Sequence, residues 1–423
     1  MPRTTNIIES YKLLKGNTRI SVIFEPLWGI PFVLFSFYLS LYMKEVGITD
    51  KEIGYLISIG FVAGAVLSLL SGVITDRFGR KKTTLIFDFL SWPVAVIIYA
   101  ISNNFLLFAL ATIVNSFTRI AGVSWNMMVI EDAENDERVA AFNIFNIINI
   151  STGVIIPVAG ILVNAFGVIK SERIFLIFAA ISMSFMVISR NHFYKETRIG
   201  LNILEEYKKN PVKNSLKNIL SFKAMAAFKK RPTAILMICI FILFNIYVPL
   251  GTVNSLYFAP YLTEVLMLDK SVISVLGGVY SAAMLIVFVF IIPVISRFNK
   301  AVNMIIGLVI QSLSLLFLIT IPPRNIIVTI MCITLFAAGF GVFRPFIDSL
   351  LAEVTEGNER AGIYSIVNTI TCIATALIGF VSGSMYLYNP RLLYIASIAI
   401  LLVCAGLSGL YIKREGKANK IIA

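Results

Sequence analysis

Gly72-Val-Ile-Thr-Asp76-Arg77-Phe-Gly79-Arg80-Lys81-Lys82 packs five charges into the seven residues from Asp76 to Lys82, and long apolar runs flank it on both sides. Unpaired charge and irregular backbone are expelled from hydrocarbon, so a charged block between two apolar runs marks a turn at a membrane surface. Glycine at two fixed positions permits close helix approach at Gly72 and a tight turn at Gly79.

Outward from this loop the chain reads as membrane spans. Of its 423 residues 58% are hydrophobic and only 14% charged, and the mean hydropathy is +0.87, outside the range of water-soluble domains. Twelve runs are long enough to cross a bilayer at about 1.5 Å per residue. They cover 20–43, 50–74, 83–102, 105–130, 139–166, 172–192, 233–262, 270–295, 301–321, 325–351, 361–386 and 391–412. The first carries Glu25, Pro26 and Pro31, lacks a small-residue cleavage site and is closely followed by another span, so it reads as a retained helix and not as a signal peptide.

The net charge of +13 is concentrated in alternate loops. With both termini cytoplasmic, 27 of the 36 basic residues fall on the cytoplasmic side and seven outside, Arg119 and Arg344 lying within spans. That asymmetry is the positive-inside pattern, and it argues for a multi-pass protein of the cell membrane, not for a nucleic-acid partner. Cys239, Cys332, Cys372 and Cys404 stand singly in apolar spans, and His192 is the only histidine, so no paired metal or redox spacing is present. With no phosphate-binding loop either, an ATP-driven pump, an enzyme and a resident cofactor are not expected.

The chain repeats itself. Tyr42-Met-Lys-Glu45-Val46 followed by Asp50-Lys51 recurs as Tyr261-Leu-Thr-Glu264-Val265 followed by Asp269-Lys270, and Glu131, Glu134, Glu137-Arg138 and Asn146 recur as Glu353, Glu356, Glu359-Arg360 and Asn368. Six spans per copy is an even number, so the copies enter from the same side as parallel repeats. The expected organisation is a six-helix bundle over 1–192, a basic linker over 193–232 and a second bundle with a short tail over 233–423. The linker carries ten basic and three acidic residues over 193–231. Leu216, Ile219 and Leu220 at helical spacing suit either a surface helix on anionic headgroups or a solvated connector.

The pattern G-x-x-x-D-R-x-G-R-[KR]-[KR] between spans two and three of twelve resembles the loop signature of the major facilitator superfamily, and the resemblance extends over the whole chain. It implies an all-α membrane protein of two pseudo-symmetric six-helix bundles, usually a monomer. Gly47, Thr49 and Gly54 match a common pattern after span one, with Thr49-x-x-Glu52 a capping box. Glu131-x6-Arg138 and Glu353-x6-Arg360 resemble the acidic-basic loop pairs of the superfamily's sugar porters, with Glu196-Thr-Arg198 a weaker echo. The resemblance implies that Gly72, Asp76, Arg77, Gly79, Arg80, Lys81, Glu131, Arg138, Glu353 and Arg360 form a cytoplasmic gate whose ion pairs join the bundles while the site faces outward. Physically, Arg77 and Arg80 can reach Glu131, Glu134 or Glu353 as forked donors, and Asp76 suits a helix N-terminus, plausibly that of span eleven.

In this fold, spans one, four, seven and ten line the central cavity. Span four places Thr112, Asn115, Arg119, Gly122 and Asn126 on one helical face, span one offers Glu25 and Trp28, and span seven Asn245, Tyr247 and Asn254 around Pro249 and Gly251. Counting residues puts Arg119 near mid-membrane with Asp88 and Glu25 toward the cytoplasm, close enough for one ionic cluster. Asp88 then either neutralises Arg119 or lies on the transport path. Arg344 and Asp348, one turn apart in span ten, either satisfy each other or bind substrate. A span-one carboxylate with a span-four arginine resembles the drug:proton antiporters of the superfamily, although Arg119 lacks that branch's following Gln-Gly and has Ile-Ala-Gly instead. The leading expectation is proton-coupled export of small amphipathic organic compounds, with Glu25 carrying the proton and Arg119 its electrostatic partner. The alternatives are uptake of a sugar or organic anion held by Arg119 and Arg344, and a sensor that kept the fold without transport.

Overall fold

The structure, a computed structural model, describes residues 7–209, 232–253, 255–354 and 360–422, with the side chains of 7–8, 135, 207–209, 232, 352–354, 360–366, 368 and 416–422 outside the described set. Among the described residues no strand occurs, and twelve helices are long and apolar enough to cross a membrane. In order they are α1 (Gly16–Glu45), α2 (Asp50–Phe78), α3 (Arg80–Ile101), α4 (Phe105–Ile130), α5 (Asp136–Phe166), α6 (Val168–Phe193), α7 (Thr233–Gly251), α8 (Lys270–Ile295), α9 (Lys300–Thr320), α10 (Ile326–Leu351), α11 (Thr369–Tyr388) and α12 (Arg391–Glu415). An even number of crossings leaves both ends of the chain on one side, called here the terminal side.

Local chemistry sets the helix ends. Thr49 and Glu52 close a reciprocal capping box at the start of α2, satisfying donors that the first turn leaves free. Gly79 turns α2 into α3 at φ +83°, and a Cβ there would meet Glu196 Oε2 at 2.7 Å, so both the backbone and the neighbour require glycine. Interior prolines remove donors and bend the helices. Pro26 interrupts α1 at Glu25, and Pro93 lies in a π-helical segment, Leu90–Val94, within α3.

The seventh span, expected over 233–262, stops at Gly251, and a separate short helix covers Phe258–Glu264. Pro249 removes a backbone donor just before the break. The end of the helix leaves its last carbonyls free, and side chains take them: Thr252 Oγ1 donates to Val248 O at 2.7 Å and Ser255 Oγ to Leu250 O at 3.3 Å.

The two sets of six helices meet along α2 with α11 and along α5 with α8. A Cβ on Gly54 would meet Gly379 O at 2.7 Å, and one on Gly278 would meet Pro157 Cγ at 2.6 Å. These glycines let the backbones touch. At the other end of α2, a Cβ on Gly72 would meet nothing within 4 Å. Among the described residues, the polar ties between the bundles also gather away from the terminal side. Lys44 pairs with Glu264 at 2.5 Å, Lys270 pairs with Glu45, Tyr38 Oη donates to Lys270 O at 2.5 Å and Ser58 Oγ to Ala376 O at 2.7 Å. The bundles are therefore closed on the far side and part toward the terminal side.

Half-exposed ion pairs contribute little, and the Lys270–Glu45 side chains are 48% and 30% exposed. Lys270→Glu should accordingly destabilise the far-closed state by no more than about 1 kcal/mol, with Glu45→Lys restoring it in the double variant. Labelling rates of a far-side cysteine would show both changes.

Candidate functional site

Three hollows adjoin one another, two walled by both bundles and one by the first bundle alone. The largest, about 410 Å³, is bounded by Trp28, Phe32 and Ser36 on α1 and by Tyr280, Met284 and Phe340 of the second bundle. A second, about 270 Å³, holds Glu25, Asp88 and Arg190 together with Trp28, Trp92 and Trp125, all three tryptophans of the chain. The third, about 280 Å³, contains Tyr99, Thr112, Asn115 and Arg119 opposite Pro249 and Leu256. Trp28 and Asn149 line the first two hollows, Thr118 the last two and Ser255 the first and third.

The ionic cluster differs from the expected one. Asp88 pairs with Arg190, not with Arg119, and both are buried. Glu25, 8% exposed, interacts with the Asn149 side chain and lies within electrostatic reach of Arg190. Arg119 projects elsewhere: it is exposed, has no ion pair among the described residues and lies within electrostatic reach of Cys372 on α11. The reason is helix placement, since α6 packs against α1 and α3 and carries Arg190 to the carboxylates. The sequence did contain a signal for this. Glu172, Phe175, Leu176, Ala179, Met183, Met186, Val187 and Arg190 form one buried stripe on α6, and both of its charged ends lie inside the expected span 172–192. Glu172 is fully buried, and neither carboxylate oxygen has a hydrogen-bond partner among the described residues.

The other expected cavity residues divide. Asn115 lines the third hollow and its Nδ2 donates to Ser91 O at 2.9 Å, bonding a carbonyl within the π-helical segment of α3. Asn126 is exposed and lines none of the three hollows. Tyr247 is corrected outright: it is fully buried in the second bundle and its hydroxyl donates to Gln311 Oε1 at 3.2 Å, since the turn of α7 aims it at α9. Arg344 pairs with Asp348 at 3.0 Å and reaches Asn245 Oδ1 at 3.5 Å, with the Arg344 and Asp348 side chains 36% and 47% exposed. Asn254 lies outside the described residues.

Aromatic rings shape the acidic hollow. Trp28 stacks on Phe32 at 4.8 Å and meets Trp92 edge-on at 5.3 Å. The indole nitrogens of Trp28 and Trp125 are buried without a hydrogen-bond partner among the described residues.

On the terminal side, the charged loop is knitted within the first bundle. Arg80 is 2% exposed and bonds Asp76 at 2.9 Å and Glu131 at 3.1 Å. Thr197 Oγ1 donates to Glu131. Glu196 caps α3, accepting from the backbone nitrogens of Arg80 and Lys81, each at 3.0 Å, and a carboxylate there also suits the helix dipole. Arg77 is exposed over the Phe78 ring. Glu131 takes Arg80 as partner in place of Arg138, whose Nε has none among the described residues. The side chains of Glu353 and Arg360 lie outside the described residues.

Comparison with known proteins bears on this geometry. The family model described as Major Facilitator Superfamily matches residues 28–256 and again 249–422, once per repeat. The fold is similar to that of a variant of the nucleoside transporter NupG (TM-score 0.69, 16% identity, 93% of this chain and 99% of that one). It is equally similar to a D-xylose-proton symporter (0.69, 15%, 95% and 97%) and to a bacterial homologue of the iron transporter ferroportin in an inward-facing state (0.70, 14%, 93% and 98%). No curated protein sequence matches the chain.

Proposed function

Since the chain belongs to the Major Facilitator Superfamily and is a secondary transporter, we propose that it exports small amphipathic organic compounds in exchange for protons by alternating access. The terminal side is read as cytoplasmic from the distribution of basic residues, in the cell membrane, which makes the described state inward-facing. The observation that carries the reading is the placement of Glu25, a carboxyl nearly hidden in a membrane span yet in the wall of an aromatic cavity of the first bundle that shares Trp28 and Asn149 with a hollow between the bundles. Ionisable groups in such places usually mark ion or substrate paths. Arg190 takes the electrostatic role that the sequence assigned to Arg119, because its charge reaches Glu25. Proton binding at Glu25 and substrate binding beside it then share one site, which is sufficient to couple them.

A second reading, uptake of an organic anion, is favoured by Arg119 alone, an exposed arginine in the cavity wall without an ion pair among the described residues.

The test is internal pH in acid-loaded proteoliposomes while compound pools are added outside, with Glu25→Gln as control. Substrate-triggered alkalinisation absent in the variant supports exchange through Glu25. Silence to every pool overturns the export reading.

The terminal-side charges complete the cycle as a gate that closes when the far side opens. Gate contacts must break each turnover, so they are worth on the order of 1–3 kcal/mol. Asp76→Asn should slow transport several-fold while leaving membrane insertion intact. Wild-type flux in that variant would remove Asp76 from the gate.

A further inference from the structure

The charges left over in the cavity name a class of substrate. In the acidic hollow Arg190 is already paired with Asp88, so Glu25, whenever it has released its proton, leaves the group one negative charge in excess. In the adjoining hollow Arg119 is a positive charge without an ion pair among the described residues. Thr118 lines both hollows and separates them. We propose that the transported molecule is a zwitterion whose ammonium end sits at Glu25 and whose anionic end sits on Arg119, an assignment that rests on the transport reading above.

The surroundings favour this division. Three tryptophans line the Glu25 hollow, and aromatic faces attract ammonium groups most strongly where water is excluded. Around Arg119 three of the hydroxyls are occupied: Tyr99 and Thr112 bond each other at 3.0 Å, and Ser116 Oγ bonds Gly60 O at 3.2 Å. The guanidinium is the charged donor of this hollow, and its fork fits a carboxylate in two parallel bonds. A purely cationic ligand would leave Arg119 uncompensated and repel it, and a purely anionic one would do the same at Glu25. Opposite charges on one molecule satisfy both ends and leave nothing unpaired on its removal from water.

The experiment is thermal stabilisation of the full-length purified protein by a compound set sorted into zwitterions, cations, anions and neutrals, followed by titration of each zwitterionic hit against its own C-terminal amide and N-acetyl derivatives. The expected result is stabilisation by zwitterions, with each single-charge derivative at least about tenfold weaker. Arg119→Ala should weaken the zwitterion by a similar factor and leave its amide unchanged, and Glu25→Gln should weaken the zwitterion and leave its N-acetyl derivative unchanged. No zwitterionic hit, or equal weakening of all derivatives by both variants, overturns the proposal. Cationic or neutral hits that move protons in proteoliposomes would overturn it while sparing the transport reading. Zwitterions that bind selectively without moving protons would do the reverse.

Discussion

Arg190→Ala is expected to remove about 3–5 kcal/mol of folding stability, the usual result of breaking a buried ion pair from one side. Its side chain and that of Asp88 are 6% and 9% exposed, and Glu25 lies within reach of the same guanidinium. Removal leaves two carboxyls facing each other in the interior. The sign of the companion experiment follows from the same physics: Asp88→Ala in the Arg190→Ala background should recover part of the loss, because it deletes the charge left behind. Arg119→Ala, at an exposed position without an ion pair among the described residues, should change stability by no more than about 0.5 kcal/mol. Thermal unfolding in detergent distinguishes the two arginines directly. If Arg119→Ala proves the more damaging, the cluster is built as the sequence suggested and not as described here.

Gly54→Leu should have the largest effect on conformation. A Cβ there would stand 2.7 Å from Gly379 O and 2.9 Å from Gly383 N. These are backbone atoms that no rotamer change can move aside, so the strain falls on the contact between α2 and α11. Overpacking of this kind costs about 1–3 kcal/mol, and each 1.4 kcal/mol is about a tenfold change in an equilibrium. The far-closed state should therefore lose between several-fold and more than a hundredfold of its population relative to the far-open one. A cysteine at Ser58, which in the native chain bonds Ala376 across the seam, should be labelled correspondingly faster from the far side once the four native cysteines are removed. Gly72→Leu should not speed that labelling, since nothing lies within 4 Å of its added Cβ, and under the gate reading it should slow it by obstructing closure at the other end. Equal labelling in Gly54→Leu and wild type would mean that the seam is not the closure.

The spans were legible because bilayer thickness sets a length and hydrocarbon forbids charge, two constraints that act on consecutive residues. The capping box of Thr49 and Glu52 and the turn at Gly79 could be read for the same reason, each being a contact within a few residues. So could the repeat, since Glu45 and Glu264, or Lys51 and Lys270, keep their order and offset. Pro249 and Gly251 stand at the interruption of α7, but only the structure places the helix end at Gly251.

Which charges meet was a matter for tertiary structure. Residue counting puts Arg119 and Asp88 close enough in depth to pair, but depth says nothing of azimuth. Helix rotation and packing bring Arg190 to Asp88 from another helix 102 residues away and turn Tyr247 to Gln311. The conformational state was equally beyond the sequence, because the same charges and glycines serve either closure. Sequence by itself determined the spans, the duplication and the membrane-facing chemistry, all local or periodic properties. The partner of each buried charge and the side on which the bundles meet depended on how twelve helices pack around one another, which no linear spacing encodes.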